Sequence, residues 1–275
     1  MRTVRVGLAG CGAIGRVVAL ELERRRSPYR VAALFDPRPE SAAGLASRLK
    51  PRPRICRDLP ELVTRCDFVM EAASRKAATE VARAALKARK PVLLMSTGGY
   101  LAAKAELDLL ARRAAPAAKL YLPSGALAGL DGIRAARQID PLSEVTLTTT
   151  KNPKGLLGAP GLTPAQTRRL KSCKAPFTVY RGDVAGAIDR FPANINVAVT
   201  LALAADALKG VRVRIVADPD IHVNQHEIRA KGSFGELSCV TRNLPSLLNP
   251  KTSALAVQSA LAFFERRIVP VEVGN

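Results

Sequence analysis

The sequence lacks the features that mark a membrane protein or a disulfide-stabilised secreted domain. Its 275 residues include no tryptophan, and no apolar run approaches the roughly 18 to 20 residues that span a bilayer. The five cysteines are scattered and include no C-x-x-C pair, which argues against a disulfide framework and a structural zinc site. The basic N-terminus superficially suggests a signal peptide, but its short apolar part leads directly into a glycine motif. We therefore expect a cytoplasmic protein with reduced thiols, no metal site and no membrane association.

Aromatic residues are also scarce, at 4%, and this scarcity helps to decide which partner the high positive charge of the chain would bind. The formal net charge is +20, which favours an anionic partner such as a nucleic acid or a charged surface. The aromatic residues are not interleaved with the basic ones, however, so no surface for stacking single-stranded bases is evident. The longest basic run, Arg24–Arg26, ends a predicted helix, where cations complement the helix dipole. We expect an anionic substrate and cofactor, and no nucleic acid partner.

The first half of the chain alternates β-like runs with helical segments. This rhythm predicts a parallel sheet with helices on both faces, the doubly wound α/β arrangement of a Rossmann domain. We predict strands at 3–10, 30–36, 66–73, 91–97 and 119–123, and helices at 13–26, 39–49, 58–65, 75–90 and 102–115.

The second half has a different pattern. Residues 144–151 and 211–218 alternate β-branched and polar residues, as strands of a half-exposed sheet do. Residues 152–164 are rich in glycine and proline and are predicted to form a loop. Residues 194–210 predict a buried helix capped by Gly210, and residues 249–267 predict a last helix that opens at Pro250.

The motif "GCGAIG" follows the first predicted strand and opens the first predicted helix. Gly10 would permit the tight turn, Gly12 the approach of a pyrophosphate, and Gly15 close packing of helix and strand. The phosphates would then lie at a helix N-terminus, where free N–H groups favour anions. The alternative is a glycine turn in an ordinary βαβ unit. The predicted cofactor contacts in this motif are Gly10, Gly12, Ala13, Ile14 and Gly15.

The end of the second predicted strand bears on the choice of nucleotide. A carboxylate at Asp36 would accept hydrogen bonds from the adenosine ribose and repel a 2′-phosphate, which favours NAD. Arg38, two residues later, could accommodate the 2′-phosphate of NADP. We expect NAD as the cofactor, with NADP left open.

Two further strand ends carry small polar residues. "EAAS" (71–74) and "MSTGG" (95–99) end predicted strands, and the carboxyl ends of parallel strands line the ligand crevice in such sheets. Ala73, Ser74 and Ser96 are therefore predicted neighbours of the nicotinamide half of the cofactor. Ordinary loop serines are the alternative.

The chain has only two histidines, and both lie in "DIHVNQHEI", residues 220–228. They could be a metal pair, one catalytic histidine with a bystander, or a coincidence of composition. Pro219 and the polar alternation favour a loop that enters a strand, and four residues along a strand separate two side chains by about 13 Å, too far for one metal. With no H-E-x-x-H motif and no nearby cysteine, the metal interpretation is weak.

Several polar motifs of the second half resemble those of the L-aspartate dehydrogenase family. With "GCGAIG" and "EAAS", they occur in order and at compatible spacing over essentially the whole chain. The motifs are "PSGALAGLDGI" (123–133), "TTTKNP" (148–153), "FPANINVAVTLALA" (191–204), "ADPDIHVNQHEI" (217–228) and "NLPSLLNPKTSALA" (243–256).

This resemblance implies a fold and an assembly. The fold would be a Rossmann domain at 1–122 and a substrate-binding and dimerisation α/β domain at 123–246, whose open mixed sheet is similar to that of dihydrodipicolinate reductase. Residues 247–275 would form a C-terminal helix that packs back on the Rossmann domain. The protein would be a homodimer. Since no low-complexity linker separates the two halves, we also expect them to share a cleft.

The resemblance also implies an activity, the reversible oxidative deamination of L-aspartate to oxaloacetate and ammonia with NAD(P). Iminoaspartate is the intermediate and could feed quinolinate and NAD synthesis. The catalytic histidine of the N-x-H-E-I element corresponds to His226, and the cofactor-contacting alanine and asparagine correspond to Ala126 and Asn196. The neighbouring Asn194 is a candidate substrate contact.

Elementary chemistry supports this assignment. Protons must move between water, the carbinolamine and the departing amine, and a histidine titrates near the pH at which this occurs. His222 would then be incidental. A substrate with two carboxylates needs cations, for which Lys151 is the main candidate and Lys251 a weaker one. A solvated lysine at a strand end is the alternative for Lys151.

Three rival functions remain open. One is another reductase on the same two-domain plan, similar to dihydrodipicolinate reductase or homoserine dehydrogenase, although "NINVAVT" and "NQHEI" argue against it. The others are a non-catalytic NAD-sensing protein and a basic Rossmann protein associated with nucleic acid, which the net charge of +20 motivates.

Overall fold

The computed structural model describes residues 2–192, 195–246 and 249–274. The chain divides into two compact units: Met1–Pro123 with Val257–Glu272, and Ser124–Ala256 with Val273–Asn275. We call them the first and the second unit. None of the helices in the described ranges is long and apolar enough to cross a membrane.

The first unit is a six-stranded parallel sheet in the order β3-β2-β1-β4-β5-β6, with helices between the strands. This order confirms the predicted doubly wound sheet. Its strands are β1 Val4–Ala9, β2 Tyr29–Phe35, β3 Arg54–Ile55, β4 Phe68–Glu71, β5 Val92–Leu94 and β6 Leu120–Tyr121. Its helices are α1 Ala13–Arg24, α2 Pro39–Ala46, α3 Leu59–Thr64, α4 Arg75–Lys87, α5 Thr97–Ala102, α6 Lys104–Ala114 and, from Val257 onward, α11 Ala254–Glu265.

The sheet is covered on both faces because its strands are apolar nearly throughout. All four residues of β4 are buried, as expected for a strand with helices above and below. Val257 and Phe264 of α11 belong to the same apolar cluster as β1 and α1, and Phe264 packs against Tyr29 and Phe68.

The sequence did not predict β3 or α5. The α5 segment "TGGYLA" has two glycines and weak helix propensity. A side chain at Gly99 would lie 2.3 Å from the carbonyl oxygen of Arg75, and Thr79 Oγ1 donates to the Gly99 carbonyl at 2.8 Å. Contact with α4 therefore stabilises a helix that local propensity does not favour.

The second unit contains a five-stranded mixed sheet in the order β11-β10-β7-β9-β8. β7 and β9 are parallel, and the other neighbours are antiparallel. Its strands are β7 Glu144–Lys151, β8 Phe177–Asp183, β9 Val211–Ala217, β10 Asn224–Gly232 and β11 Gly235–Asn243, with a separate pair of β12 Pro245–Ser246 and β13 Asn249–Ser253. Its helices are α7 Leu130–Ala136, α8 Pro164–Lys171, α9 Val184–Arg190 and α10 Ile195–Ala204.

Two predicted helix boundaries are wrong. The helix predicted to end at Gly210 ends at Ala204, because Asp206 takes the left-handed conformation with φ 53° and the Ala207 amide bonds back to the Ala202 carbonyl. This is the Schellman arrangement, which closes the helix without glycine. The last helix begins at Ala254, not Pro250, because Asn249–Ser253 pairs as a strand.

The predicted loop at 152–164 is only partly a loop. Pro153–Gly155 forms a 3₁₀ turn, and Pro164 is the first residue of α8. Thr163 caps that helix, since its hydroxyl accepts from the Gln166 amide while the Gln166 side chain accepts from the Thr163 amide. This reciprocal capping box marks a helix start within proline-rich sequence.

Candidate active site

The glycine motif forms the turn from β1 into α1. Gly10 has φ +100°, a conformation that disfavours other residues, and a side chain there would lie 2.6 Å from the backbone of Ala72. A side chain at Gly15 would lie 2.1 Å from the Gly10 carbonyl oxygen, so the helix can approach the turn only because residue 15 has none. Ala13 and Ile14 form the start of α1.

The turn and the start of α1 fit an anionic cofactor. A side chain at Gly12 would project into open space, with no atom of the described residues within 4 Å apart from its neighbours in sequence, so the backbone there is accessible to a ligand. In the same turn of α1, the Nε of Arg16 is buried and has no hydrogen-bond partner within the described residues. Free N–H groups at the start of a helix are the donors that a pyrophosphate needs.

Asp36 lies directly after β2 and connects that strand to the glycine turn. One of its carboxylate oxygens accepts a hydrogen bond from the Cys11 amide at 2.8 Å, and the other accepts from the Arg38 amide at 3.0 Å. The exposed Arg38 side chain has its Nε 3.5 Å from this carboxylate. Asp36 and Arg38, the two residues predicted to decide between NAD and NADP, therefore lie next to each other in space.

Ala73, Ser74 and Ser96 surround one buried carboxylate, that of Glu71. Glu71 ends β4, Ser74 caps α4, and Ser96 precedes α5. Glu71 accepts hydrogen bonds from the Ala73 amide at 2.7 Å and from the amide and hydroxyl of Ser96 at 3.0 and 2.9 Å.

In the second unit, His226 lies in the middle of the sheet. It is on β10, where it pairs with Thr149 of β7 and Thr241 of β11, and only 4% of its surface is exposed. Its Nδ1 is 3.0 Å from the hydroxyl of Thr149, itself buried. A hydroxyl can donate to Nδ1 or accept from it, so Thr149 can support either tautomer. Within the described residues Nε2 has no hydrogen-bond partner and is the ring nitrogen available to a substrate.

Burial and a neighbouring positive charge hold His226 neutral. Burial, together with the positive charge of Lys151, lowers the pKa of His226 to about 3. Lys151 is the last residue of β7, on the same face as Thr149, and burial lowers its pKa to about 8. Neighbouring groups whose pKa values are both displaced by burial are typical of a functional site, and the ammonium group of Lys151 supplies a cation for an anionic ligand.

Ala126 is held to the same sheet. Its carbonyl oxygen accepts hydrogen bonds from the Thr241 hydroxyl and from the side-chain amide of the buried Asn243, both at 3.0 Å. Gly125, with φ +64°, forms the turn. Since Thr241 pairs with His226 across the ladder, Ala126 and His226 are connected through β11.

The other predicted site residues are placed differently. His222 is exposed on the loop before β10, which Asn152 holds through 3.3 Å hydrogen bonds to the carbonyls of Pro219 and Ile221. Asn196 is exposed in the first turn of α10. Asn194 lies outside the described residues, and Lys251 lies in β13.

Sequence reasoning missed Glu71, Thr149, Thr241 and Asn243. A signal existed for Glu71, because a charged residue that ends the buried strand "FVME" needs hydrogen-bond donors. The threonines carried no such signal, since alternating threonines are ordinary in strands.

Two known protein families match the chain, and the boundary between their matches lies close to the boundary between the two units. Residues 131–267 match the family described as aspartate dehydrogenase, C-terminal. Residues 10–123 match the family described as homoserine dehydrogenase, NAD binding domain.

Individual relatives match along the whole chain. An L-aspartate dehydrogenase from Methanocella arvoryzae is 40% identical over 272 residues, covering 98% of this chain and 99% of the relative. One from Methanocaldococcus jannaschii is 39% identical, covering 99% of this chain and 100% of the relative.

Solved structures show the same fold. The aspartate dehydrogenase of Thermotoga maritima superposes with a TM-score of 0.73 at 24% identity, over all of both chains. The myo-inositol dehydrogenase of Lactobacillus casei in complex with NAD(H) and myo-inositol superposes with a TM-score of 0.58 at 14% identity, covering 96% of this chain and 84% of the other.

Proposed function

The chain belongs to the aspartate dehydrogenase family, and from this premise we propose how its residues carry out the reaction. The reaction is the NAD(P)-dependent, reversible oxidative deamination of L-aspartate to oxaloacetate and ammonia through iminoaspartate. Full-length relatives of this activity at 40% and 39% identity support it over other reductases on the same plan. As the source of iminoaspartate, the enzyme would serve pyridine nucleotide synthesis.

Lys151 binds a carboxylate of the substrate. It is the cation next to His226, and its half-buried position strengthens its attraction to an anion. Asn194 is proposed as a second polar contact to the substrate, on the family resemblance alone.

His226 moves the protons. Its available Nε2 accepts a proton from the water that attacks the imine carbon and returns it to the departing amine. The low pKa of His226 in the ligand-free protein is compatible with this role. A bound dicarboxylate offsets the positive charge of Lys151 and adds negative charge beside the imidazole ring. Substrate binding therefore raises the pKa of His226 and makes its ring a better proton acceptor.

The first unit binds NAD. Gly10, Gly12, Ala13, Ile14 and Gly15 would hold the pyrophosphate, Asp36 the adenosine ribose, and Ala73, Ser74 and Ser96 the nicotinamide half. Ala126 and Asn196 are proposed as further cofactor contacts from the second unit. When bound, the cofactor supplies the acceptor for the hydride that leaves Cα of aspartate. Asp36 favours NAD, and the neighbouring Arg38 gives NADP a cation for its 2′-phosphate.

We further propose a cytoplasmic homodimer that has no nucleic acid partner. All five cysteines, each within the described residues, are free thiols, which fits a reducing compartment. One face of the β7–β11 sheet exposes charges of both signs, among them Arg212, Arg229, Glu144 and Glu236. A two-fold contact pairs a patch with itself, so a patch of both signs suits it.

The hydrogen-bonded pair of His226 and Thr149 beside Lys151 is the observation that carries the proposal. The test is NADH formation from NAD with L-aspartate, and with L-homoserine, L-glutamate and L-alanine as control substrates. We expect a signal that depends on L-aspartate. Reduction with homoserine but not aspartate would contradict the proposal, as would NADH binding without turnover of any substrate together with salt-sensitive retention on DNA.

A further inference from the structure

Glu71 is a fully buried carboxylate, with no measurable exposed surface, and no charged side chain makes a hydrogen bond to it within the described residues. Burial raises the pKa of its carboxyl, whereas hydrogen bonds from Ala73, Ser96 and Ser74 lower it. Burying such a group costs free energy unless hydrogen bonds replace its lost hydration, and here two backbone amides and a hydroxyl provide them. Since the carboxylate cannot touch a substrate, its role must be exerted through the groups it binds.

Those groups belong to two loops at the carboxyl edge of the parallel sheet. The loop after β4 donates the Ala73 amide, and the loop after β5 donates the amide and hydroxyl of Ser96. The backbone repeats the connection, since the Met95 amide donates to the Glu71 carbonyl at 3.1 Å. A single side chain thus fixes the spacing of two loops that follow neighbouring strands.

A third loop depends on the first of these. The Ala72 amide donates to the Ala9 carbonyl at 2.8 Å, and a side chain at Gly10 would lie 2.6 Å from the Ala72 backbone and 2.8 Å from the Ala73 side chain. The glycine turn therefore packs directly on the loop that Glu71 holds. A shift of Ala72 and Ala73 would displace the turn at the start of α1.

We infer that Glu71 is a positioning residue for the dinucleotide, whose buried carboxylate fixes the loops after β4 and β5 against the glycine turn. The inference rests on the proposed nucleotide site but not on the identity of the amino-acid substrate. Dinucleotides bind across the carboxyl edge of a doubly wound sheet, at the point where the strand order reverses, which here lies between β1 and β4. The nicotinamide half then lies over the ends of β4 and β5. Ordered loops reduce the entropy lost when the ligand binds, so loss of Glu71 weakens binding of the cofactor.

The test replaces Glu71 by Gln and measures the Kd of NADH by fluorescence. Gln has the same size, but its NH2 group replaces one of the two carboxylate oxygens. A donor would then face a backbone N–H that needs an acceptor. The matched control is Asp67→Asn at the opposite end of β4, where the carboxylate accepts from the amide and guanidinium of Arg5. We expect the Kd of NADH and the KM of NAD to rise about tenfold or more in Glu71→Gln, from loss of a charge-assisted hydrogen bond. The KM of L-aspartate should stay within about twofold, and Asp67→Asn should bind NADH within about twofold of the unmodified protein.

An unchanged Kd for NADH in folded Glu71→Gln would overturn the inference, and so would an equal loss in Asp67→Asn, which would indicate general destabilisation. If Glu71→Gln does not fold, amide hydrogen exchange of the unmodified protein decides. The amides of Ala73 and Ser96 should be protected although both lie outside regular strands, and further protected by NADH. Fast exchange of both amides would overturn the inference. Failure of the proposed function would show separately, as absence of turnover with L-aspartate in the unmodified protein.

Discussion

At the scale of single residues, the site in the second unit uses a hydroxyl where many histidine-dependent enzymes use a carboxylate. A carboxylate beside Nδ1 would stabilise the imidazolium and raise the histidine pKa. Thr149 provides no negative charge, and the positive charge of Lys151 disfavours a second positive charge on the ring. His226 therefore stays neutral until an anion binds. In the proposed mechanism, the negative charge that stabilises the imidazolium comes from the bound substrate.

Replacing Thr149 by Val should lower kcat about fivefold, because the Nδ1 of His226 loses a hydrogen bond worth about 1 kcal/mol. Thr149→Ser keeps the hydroxyl and should retain most of the activity. The control is Thr148→Val, on the other face of the same strand. Steady-state kinetics of the three variants checks this, and equal losses in Thr149→Val and Thr149→Ser would contradict a role for the hydroxyl.

Binding of a dicarboxylate should depend on pH through Lys151. Its pKa is about 8 in the free protein, so the ammonium charge is present below this pH and is lost as the pH rises through it. The affinity for succinate, an unreactive dicarboxylate, should be constant below pH 8 and then fall by about tenfold per pH unit. Inhibition constants from pH 6.5 to 10 measure this.

Two variants assign the effect to that lysine. Lys151→Met should bind succinate weakly at every pH, whereas Lys154→Met, which removes an exposed lysine three residues away, should behave as the unmodified protein does. A flat profile in the unmodified protein would exclude Lys151 as the carboxylate ligand.

Single residues were predictable where composition or motif restricts the choice. With two histidines in the chain, the candidates for proton transfer were few, and the glycine spacing indicated the turn. Thr149 and Asn243 were not predictable, because their roles depend on strand register and on contacts between residues 77 and 117 positions apart.

At the scale of elements, three helices in the described part of the chain end in the left-handed conformation without glycine. Arg26 follows α1, Arg89 follows α4 and Asp206 follows α10, with φ of 51°, 55° and 53°. In each case the next amide bonds back five residues, as in a Schellman motif. The sequence therefore gave no glycine signal for these helix ends, which explains the wrong boundary at Gly210. Strands such as β7 were predicted correctly because they alternate or are apolar throughout, whereas α5 forms through packing against α4.

Arg89 is exposed and lies at the end of α4 away from the glycine turn. Arg89→Gly should be more stable than Arg89→Ala by about 1 kcal/mol, because glycine relieves the left-handed strain at some entropic cost. The Ala variant is the reference because both changes remove the same charge. Urea denaturation of the two variants tests this, and equal stability would mean that the conformation at residue 89 carries no strain.

At the scale of the whole molecule, family membership and fold class followed from motifs distributed over the entire chain, which a single local pattern would not have supported. Assembly did not follow from them, because an interface is a property of surfaces formed by residues distant in sequence. The exposed sheet face with Arg229 and Glu227 shows its charges only once the register of β10 with β7 is known.

Light scattering after size exclusion should give the mass of two 29.3 kDa chains. Arg229→Glu removes the ion pair with Glu227 and places two carboxylates side by side on the sheet face, so it should shift the protein toward monomer, with a weaker effect at high salt as like charges are screened. Arg113→Glu on α6, an equal change of charge on an exposed residue of the first unit, should leave the mass unchanged. A monomeric unmodified protein, or a dimer that both variants preserve, would contradict the proposed interface.

The role of His226 in proton transfer is tested by comparing variants of the two histidines in one assay. His226→Ala should lower the turnover of L-aspartate by about 100-fold or more, the usual effect of losing a general acid–base group, while the Kd of NADH stays unchanged. His222→Ala, which removes the exposed histidine four residues away, should turn over L-aspartate at the rate of the unmodified enzyme. Near-normal turnover in His226→Ala, or an equal loss in His222→Ala, would contradict the assignment of proton transfer to His226.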